Sequence, residues 1–239
     1  TTTPWTIPAN RALAYSENLQ YSLLEIEPVS HFKGKKIVVA TDLVNSVTEK
    51  CNLKNFKILK NFHGKFLKDT ICEHPFNKLG FDYNVPLLDA NFVNLEQGTG
   101  LVHCAPSHGP DDFNLCLKNN IKSEYTVDGA GLYTDKIPEF KNIHVFKADL
   151  KIIESLKKEK KLLGSDTLRH SYPHSWRSKA PLIYRATPQW FISMESNALR
   201  DKAIKAIKET SFYPPKGRER LLSMIQTRPD WCVSRQRVW

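Results

Sequence analysis

Two segments of this chain carry residue types from which a reaction centre can be built. Thr1–Asn10 (TTTPWTIPAN) puts four threonine hydroxyls, one carboxamide and two chain-stiffening prolines into ten positions, with no charge among them. Such neutral donor–acceptors make a poor solubilising surface but a suitable floor for a pocket that must hydrogen-bond an ester and a ribose. Gly98–Asp112 (GTGLVHCAPSHGPDD) supplies the ionisable groups the first segment lacks, in His103, His108, Asp111 and Asp112. The chain has no GxSxG, no HExxH and no carboxylate pair in a glycosidase-like setting. What remains is a site of threonine hydroxyls, one histidine and one aspartate. That set is too weak to cut an amide readily. It is suited to an already reactive ester, by positioning water and stabilising an oxyanion.

Each of these residues also has an ordinary role open to it. In a strand, neighbours point to opposite faces, so His103 shares a face with Leu101 and Ala105 while Cys104 goes with Val102. The two side chains diverge, which argues against a Cys104–His103 nucleophile–base pair and leaves His103 as either a core histidine or a site residue. His108, next to Gly109, reads as a loop or helix-cap residue. Pro110 followed by Asp111 and Asp112 is a helix start, where a first-turn carboxylate is favourable by about 0.3–1 kcal/mol. Helix propensity asks for only one of the two acids. The other is free to face a cavity and anchor a cation such as a substrate ammonium. Gly98-Thr99-Gly100 lacks both a following Lys-Ser/Thr and the GxGxxG pattern, which disfavours a nucleotide loop.

The elements that must position these groups are mostly short strands in the first two-thirds of the chain. Tyr21–Glu27, Lys36–Ala40 and Phe56–Phe62 carry strand patterns, the last with Phe56, Ile58 and Lys60 on one face. His63-Gly64 turns into Lys65–Leu67, and Leu101–Ala105 is a further strand entered through the glycine pair. Short strands separated by Gly, Pro and Asn predict an α+β fold, mainly β, with a barrel-like core and flanking helices. Helices are expected from Pro110 to about Asn120, over Lys147–Leu163 with Gly164 as the stop, and over Met194–Thr210. Near Gly164 the composition turns aromatic and rich in His, Arg and Pro. Residues 1–165 are therefore expected to form the core domain, and 166–239 a helical and irregular segment that packs rather than dangles.

With 239 residues, 41% of them hydrophobic, the chain is long enough for one large domain or two small ones. No apolar run approaches the roughly 20 residues a membrane span needs, and no signal-peptide pattern opens the chain. Five cysteines, an odd number with no CxxC pair, point to a reducing compartment and hence to the cytoplasm. The net charge of +10 is compatible with RNA, but lysine outnumbers arginine 25 to 10 and a lysine- and asparagine-rich composition gives the same charge. The chain starts without Met at Thr1 and stops at Trp239 without a helix cap, which reads as a piece of a larger polypeptide.

Four motifs, Thr1–Asn10, Gly98–Asp112, His170–Phe191 (HSYPHSWRSKAPLIYRATPQWF) and Arg228–Arg237 (RPDWCVSRQR), in this order and across almost the whole chain, closely resemble isoleucyl-tRNA synthetase. The resemblance is to the editing domain (CP1) inserted in its class I catalytic fold. Valyl and leucyl relatives typically open this region with a TTRP-type motif; Thr3-Pro4-Trp5-Thr6 is similar to the isoleucyl branch.

The resemblance implies roles for particular residues. Thr1, Thr2 and Thr3, with Thr6 and Asn10, would hold the ester and terminal adenosine. Asp112 would bind the substrate α-ammonium. His103 would limit side-chain size so that valine enters and isoleucine does not, with Trp5 shaping the same wall and Ala105 lining the substrate site. The implied reaction is hydrolysis of valine misattached to isoleucine tRNA, and of valyl-adenylate. Implied partners are the tRNA(Ile) 3′ end and the rest of the parent synthetase, with no membrane, in a monomer. The HIGH-type and KMSKS-type signatures are absent, so ATP and magnesium would belong to the parent's catalytic domain, with no cofactor here. Ser175 and Ser178 stand where some relatives have zinc-binding cysteines, and serine is a poor zinc ligand, so no zinc is expected. Ser107 stands where glycine is common. The competing readings are an RNA-docking module that has lost hydrolysis and an editing domain of valyl or leucyl specificity.

Overall fold

The computed structural model describes residues 1–96, 98–169 and 171–235. His170 and Gln236–Arg237, parts of two of the motifs above, lie outside the described residues. The chain divides into two compact units, Thr1–Ala186 and Thr187–Trp239.

In the first unit the chain opens as a 3-10 segment, Pro4–Ala9, in which Pro4 presets φ at the first position and Pro8 contributes no amide donor. It runs directly into β1 (Ala12–Tyr15), followed by β2 (Gln20–Ile26), β3 (Lys36–Ala40), α1 (Val44–Lys50), β4 (Phe56–His63), β5 (Ile71–Glu73), β6 (Asn84–Asp89), β7 (Val102–Cys104), α2 (Pro110–Lys118) and α3 (Asp149–Lys158). One sheet has the order β5-β6-β1-β7, with β1 parallel to β6 and antiparallel to β7. A second, antiparallel sheet has the order β3-β2-β4. The fold is α+β as expected, but the two sheets remain separate and open, so the barrel-like expectation is corrected: among the described residues no ring of strands closes.

The glycine pair of GTG accounts for part of the join between the sheets. Thr99 O accepts from Ala40 N at 2.8 Å, and Gly100 O accepts from the Tyr21 hydroxyl at 2.9 Å. Gly100 has φ +74°, and a Cβ there would stand 2.3 Å from Ala40 Cβ. At Gly100 the missing side chain permits this close approach to Ala40.

Three apolar clusters form the core. Trp5, Phe76, Phe81, Tyr133 and Phe140 pack with Ile152 and Leu156 of α3. Tyr21, Leu24 and Val39 of the three-stranded sheet pack against Val44 and Val47 of α1. Ala12, Ala14, Cys104 and Cys116 bring β1 and β7 close to α2, small side chains allowing the approach.

Two local expectations differ in an informative way. A bulge in the β2–β4 pairing sets Ile58 opposite Leu24 but Lys60 opposite Leu23, so Lys60 leaves the face that Phe56 and Ile58 share. α3 stops at Lys158 rather than continuing to Leu163, because Lys160 adopts φ +56° and Leu162 N donates to His31 O instead of continuing the helix.

The expected change of character near residue 165 and the division after Ala186 fall at different places. Residues up to Ala186 go with the first unit because Tyr184 O and Ala186 N bond to the loop after β7. In the second unit, β8 (Phe191–Ile192) pairs with β9 (Trp231–Cys232), and between them in sequence run α4 (Leu199–Glu209) and α5 (Lys216–Thr227). Among the described residues no helix is long and apolar enough to cross a membrane.

Candidate functional site

The threonine-rich segment is held on its backbone. Thr3 O accepts from both Thr6 N (3.1 Å) and Thr6 Oγ1 (2.8 Å), closing the first turn. Trp5 N donates to Asp149 Oδ1 at 2.9 Å at the start of α3, and the Tyr133 hydroxyl donates to Trp5 O. His74 Nε2 donates to Ile7 O at 3.1 Å while its Nδ1 accepts from Phe76 N. Arg11 N then donates to Cys104 O, and β1 pairs with β7 in a register that sets Leu13 opposite His103. The turn and the strand that follow Thr6 therefore fold it back over β7, where Thr6 Oγ1 lies 2.9 Å from His103 Nε2.

The proton in that contact can be placed by counting bonds. If Thr6 donates to Thr3 O and His103 donates from Nε2, both bonds form; if Thr6 donates to His103 instead, one of them is lost. The first arrangement leaves Nδ1 as a bare lone pair, and Nδ1 is indeed buried without a partner. Desolvation lowers the His103 pKa to about 4, so at neutral pH the ring is uncharged.

Asp112 occupies the first turn of α2. Its Oδ2 accepts from Ala105 N at 2.9 Å, tying the helix start to the end of β7. Half-burial raises its pKa by desolvation, opposed by that hydrogen bond. Among the described residues its Oδ1 makes no hydrogen bond, which leaves one carboxylate oxygen for a cation. Asp111 is exposed on the same turn.

The structure thus brings Thr6 of the opening 3-10 segment to His103 on β7, and Asp112 of α2 to Ala105 just after that strand. Thr1 and Thr2 are exposed, with Thr1 Oγ1 accepting from Thr3 N at 3.1 Å. Among the described residues no hydrogen bond joins the side chains of Thr1–Thr3 to His103 or Asp112. Trp5 and Ala105 are buried in the aromatic core. Asn10 is buried too, with Oδ1 lacking a partner, while its carbonyl accepts from the Tyr83 hydroxyl. An unpaired buried acceptor is costly, by about 1–3 kcal/mol, and the same holds for His103 Nδ1.

Sequence reading missed several supports. His108 lies in the turn after β7 and is half-buried, with Nδ1 donating to Tyr184 O and Nε2 accepting from Thr126 Oγ1, both at 2.9 Å. Its ring meets the Trp5 ring edge-on at 4.8 Å. Ser107 is buried and donates to Glu124 O at 2.5 Å. His74 and Asp149 carry no local pattern that would reveal them, since each acts on a backbone group distant in sequence. His108 was visible only as one more polar residue in SHGPDD. Among the described residues no three His, Cys, Asp or Glu side chains converge as a metal site; Ser175 Oγ accepts from Ser178 N instead.

Comparison with known proteins agrees with this architecture. The family model of class I tRNA synthetases (I, L, M and V) matches residues 6–239. The chain is 64% identical over its whole length to the isoleucine–tRNA ligase of Pelagibacter ubique (strain HTCC1062), covering 26% of that protein. It is 47% identical to the isoleucine–tRNA ligase of Francisella tularensis subsp. tularensis (strain WY96-3418), covering 24% of it. The chain thus spans about a quarter of the curated relatives it matches. Among solved structures, GlLeuRS-CP1 aligns with a TM-score of 0.52 at 13% identity, covering 70% of this chain and 83% of that one. The editing domain of the P. falciparum cytosolic leucyl-tRNA synthetase aligns at 0.48 and 14%, covering 67% and 76%. The first of these likenesses speaks to the fold alone. On sequence and fold together, this chain belongs to the class I tRNA synthetases of the I, L, M and V group.

Proposed function

We propose that this chain is the editing module of an isoleucine–tRNA ligase, hydrolysing the ester that joins a misattached valine to isoleucine tRNA. The observation that carries the reading is the 2.9 Å contact between Thr6 Oγ1 and His103 Nε2, which puts the hydroxyl-rich segment and the histidine of the second motif at one place. Isoleucine and valine differ by one methylene, worth only about 1–3 kcal/mol, and this pair is the standard instance of why a synthetic pocket alone cannot discriminate. A smaller second pocket rejects isoleucine by overlap, whose cost climbs steeply.

The free oxygen of Asp112 fastens the α-ammonium of the aminoacyl group. Neutral His103, fixed by Thr6, stands as a wall rather than a base: desolvation by burial keeps the ring uncharged, and its Nε2–H is engaged by Thr6 Oγ1. Water attacks the acyl carbon of the 2′- or 3′-ester, aligned by substrate hydroxyls and by the hydroxyls of Thr1–Thr3, without a covalent enzyme intermediate; the acyl–oxygen bond breaks, and the ribose oxygen departs as a hydroxyl carrying a proton from the attacking water. Valyl-adenylate offers the same acyl carbon and is a second substrate. Asn10, with its unpaired carbonyl, accepts from a hydroxyl of the terminal adenosine.

The parent synthetase supplies aminoacylation with ATP and magnesium, most of the tRNA contact and a cytoplasmic setting, and acts as a monomer. The deciding experiment is deacylation of a panel of tRNA(Ile) charged with valine, threonine, leucine or isoleucine. Selective loss of valine supports the reading; hydrolysis of none indicates a docking module, and preference for another acyl group an editing domain of neighbouring specificity.

A further inference from the structure

Two lysine runs remote in sequence meet on one surface of the first unit. Residues 31–36 (HFKGKK) hold three lysines and no acid, and residues 157–161 (KKEKK) hold four lysines and Glu159. Taken singly, each run is an ordinary solvated charge cluster. The fold joins them backbone to backbone. Phe32 forms an antiparallel bridge with Lys161, Lys33 N donates to Lys160 O at 2.9 Å, and Leu162 N donates to His31 O at 3.0 Å. All seven lysines are exposed, and among the described residues none of them is in an ion pair.

Gathered like charges repel and oppose the compact state, so their convergence asks for a reason. The helix dipole accounts for two: Lys157 and Lys158 lie in the last turn of α3, where cations are favoured. Lys160 lies past the helix end at φ +56°, a position where glycine is usual. The lysine loop is also firmly seated. Phe32 packs against the second apolar cluster, and a Cβ on Gly34 would stand 2.5 Å from the Phe32 ring. The positive surface continues onto the three-stranded sheet, where Lys36 and Lys57 stand opposite Glu25 on its two sides. The interspersed acids, Glu25 and Glu159, leave a clear surplus of positive charge among these residues.

We propose that the surface around Lys33, Lys35, Lys160 and Lys161 binds the phosphate backbone of an RNA duplex, here the helical body of the tRNA. Three features select that partner. Ammonium groups are point charges that suit phosphates and lack the fork with which arginine reads a base. The aromatic ring within the two runs, Phe32, is turned onto Gly34 and offers no stacking platform, which disfavours an unpaired strand. Double-stranded RNA is recognised mostly by shape and by backbone contacts. The proposal rests on the tRNA reading above but does not need the hydrolytic step, since these lysines would hold the RNA and take no part in the chemistry.

The test measures binding of tRNA(Ile) to the full-length synthetase across a salt series, comparing wild type with a variant carrying Lys33→Gln, Lys35→Gln, Lys160→Asn and Lys161→Gln. Asparagine is chosen at 160 because it tolerates a positive φ. A control variant changes Lys118, Lys122, Lys202 and Lys208 to Gln, all exposed and, among the described residues, outside any ion pair. If the wild type does not bind tRNA(Ile), the tRNA reading fails and this surface with it; tRNA bound with its valyl ester left intact sinks the deacylase reading alone. The first variant is expected to raise Kd about tenfold or more at about 0.15 M salt and to flatten log K against log salt by about two units or more. A non-cognate tRNA loses affinity by the same factor, because phosphates carry no sequence. For valyl-tRNA deacylation KM rises while kcat holds, as expected when binding alone is removed. Should the four-lysine variant fail to fold, Lys33→Gln with Lys35→Gln takes its place: a slope flattened by about one unit supports the proposal and an unchanged slope overturns it. Unchanged Kd and slope in the folded four-lysine variant overturn it and point to an acidic protein surface instead. Equal losses in the control variant also overturn it, since net charge alone then accounts for both.

Discussion

Thr6 and His103, 97 positions apart in sequence, are joined by a hydrogen bond of 2.9 Å in which the hydroxyl both donates to Thr3 O and accepts from the imidazole. That one hydroxyl fixes the tautomer of the ring and closes the first turn of the segment before β1. Thr6→Val keeps the shape and removes both bonds. We expect a loss of about 1–3 kcal/mol in stability, read by denaturant unfolding, with Thr6→Ser close to wild type.

Asp112 has two duties, and Asn separates them. Asp112→Asn retains an acceptor for Ala105 N but removes the charge proposed to bind the ammonium. Losing a charge-assisted hydrogen bond of about 1.5–3 kcal/mol predicts a 10- to 100-fold drop in valyl-tRNA deacylation with little change in melting temperature. Unchanged deacylation refutes the role.

His103→Ala tests the size gate directly. The variant is expected to begin hydrolysing correctly charged isoleucyl-tRNA while remaining active on valyl-tRNA. A folded variant that spares isoleucine shows that the gate lies elsewhere.

Three histidines, His74, His103 and His108, are each lowered to about 4 by desolvation. An unfolded chain titrates its histidines near 6.5, so between about pH 6.5 and 4 it binds more protons than the native one. Stability then rises with pH across this window and is lost as pH falls through it. Asp112 and Asp149, whose pKa values burial raises, act in the opposite sense in the carboxylate range. Melting temperature against pH should therefore drop progressively below about 6.5, and a flat profile down to pH 4.5 contradicts the burial of these rings. Replacing His74 with Gln should reduce the slope.

Gly100→Ala is expected to destabilise by about 2 kcal/mol or more, since it combines a left-handed φ with a Cβ 2.3 Å from Ala40 Cβ. Gly98→Ala shares the positive φ but meets nothing within 4 Å and should cost less, which urea unfolding of the pair would resolve. A chelator, by contrast, should change neither melting temperature nor deacylation, because among the described residues no three His, Cys, Asp or Glu side chains converge as a metal site.

The local pattern settled what local physics controls. Lys36–Ala40 is a strand from end to end because β-branched residues say so, and α2 begins at Pro110 because proline and two acids mark a first turn. The divergence of His103 from Cys104 followed from the two-residue period, and the family followed from motifs quoted whole. What no local signal could reveal was decided by pairings distant in the chain. The bulge that turns Lys60 away comes from β2, the early end of α3 from His31, and the open edges of the two sheets from the strand order. Asp149 on Trp5, His74 on Ile7 and Tyr184 on His108 are backbone contacts made by remote residues, and a backbone donor or acceptor leaves no mark in the sequence. Residue types determined which chemistry was available; only the burial that comes with folding decided that the histidine beside Thr6 would stand neutral.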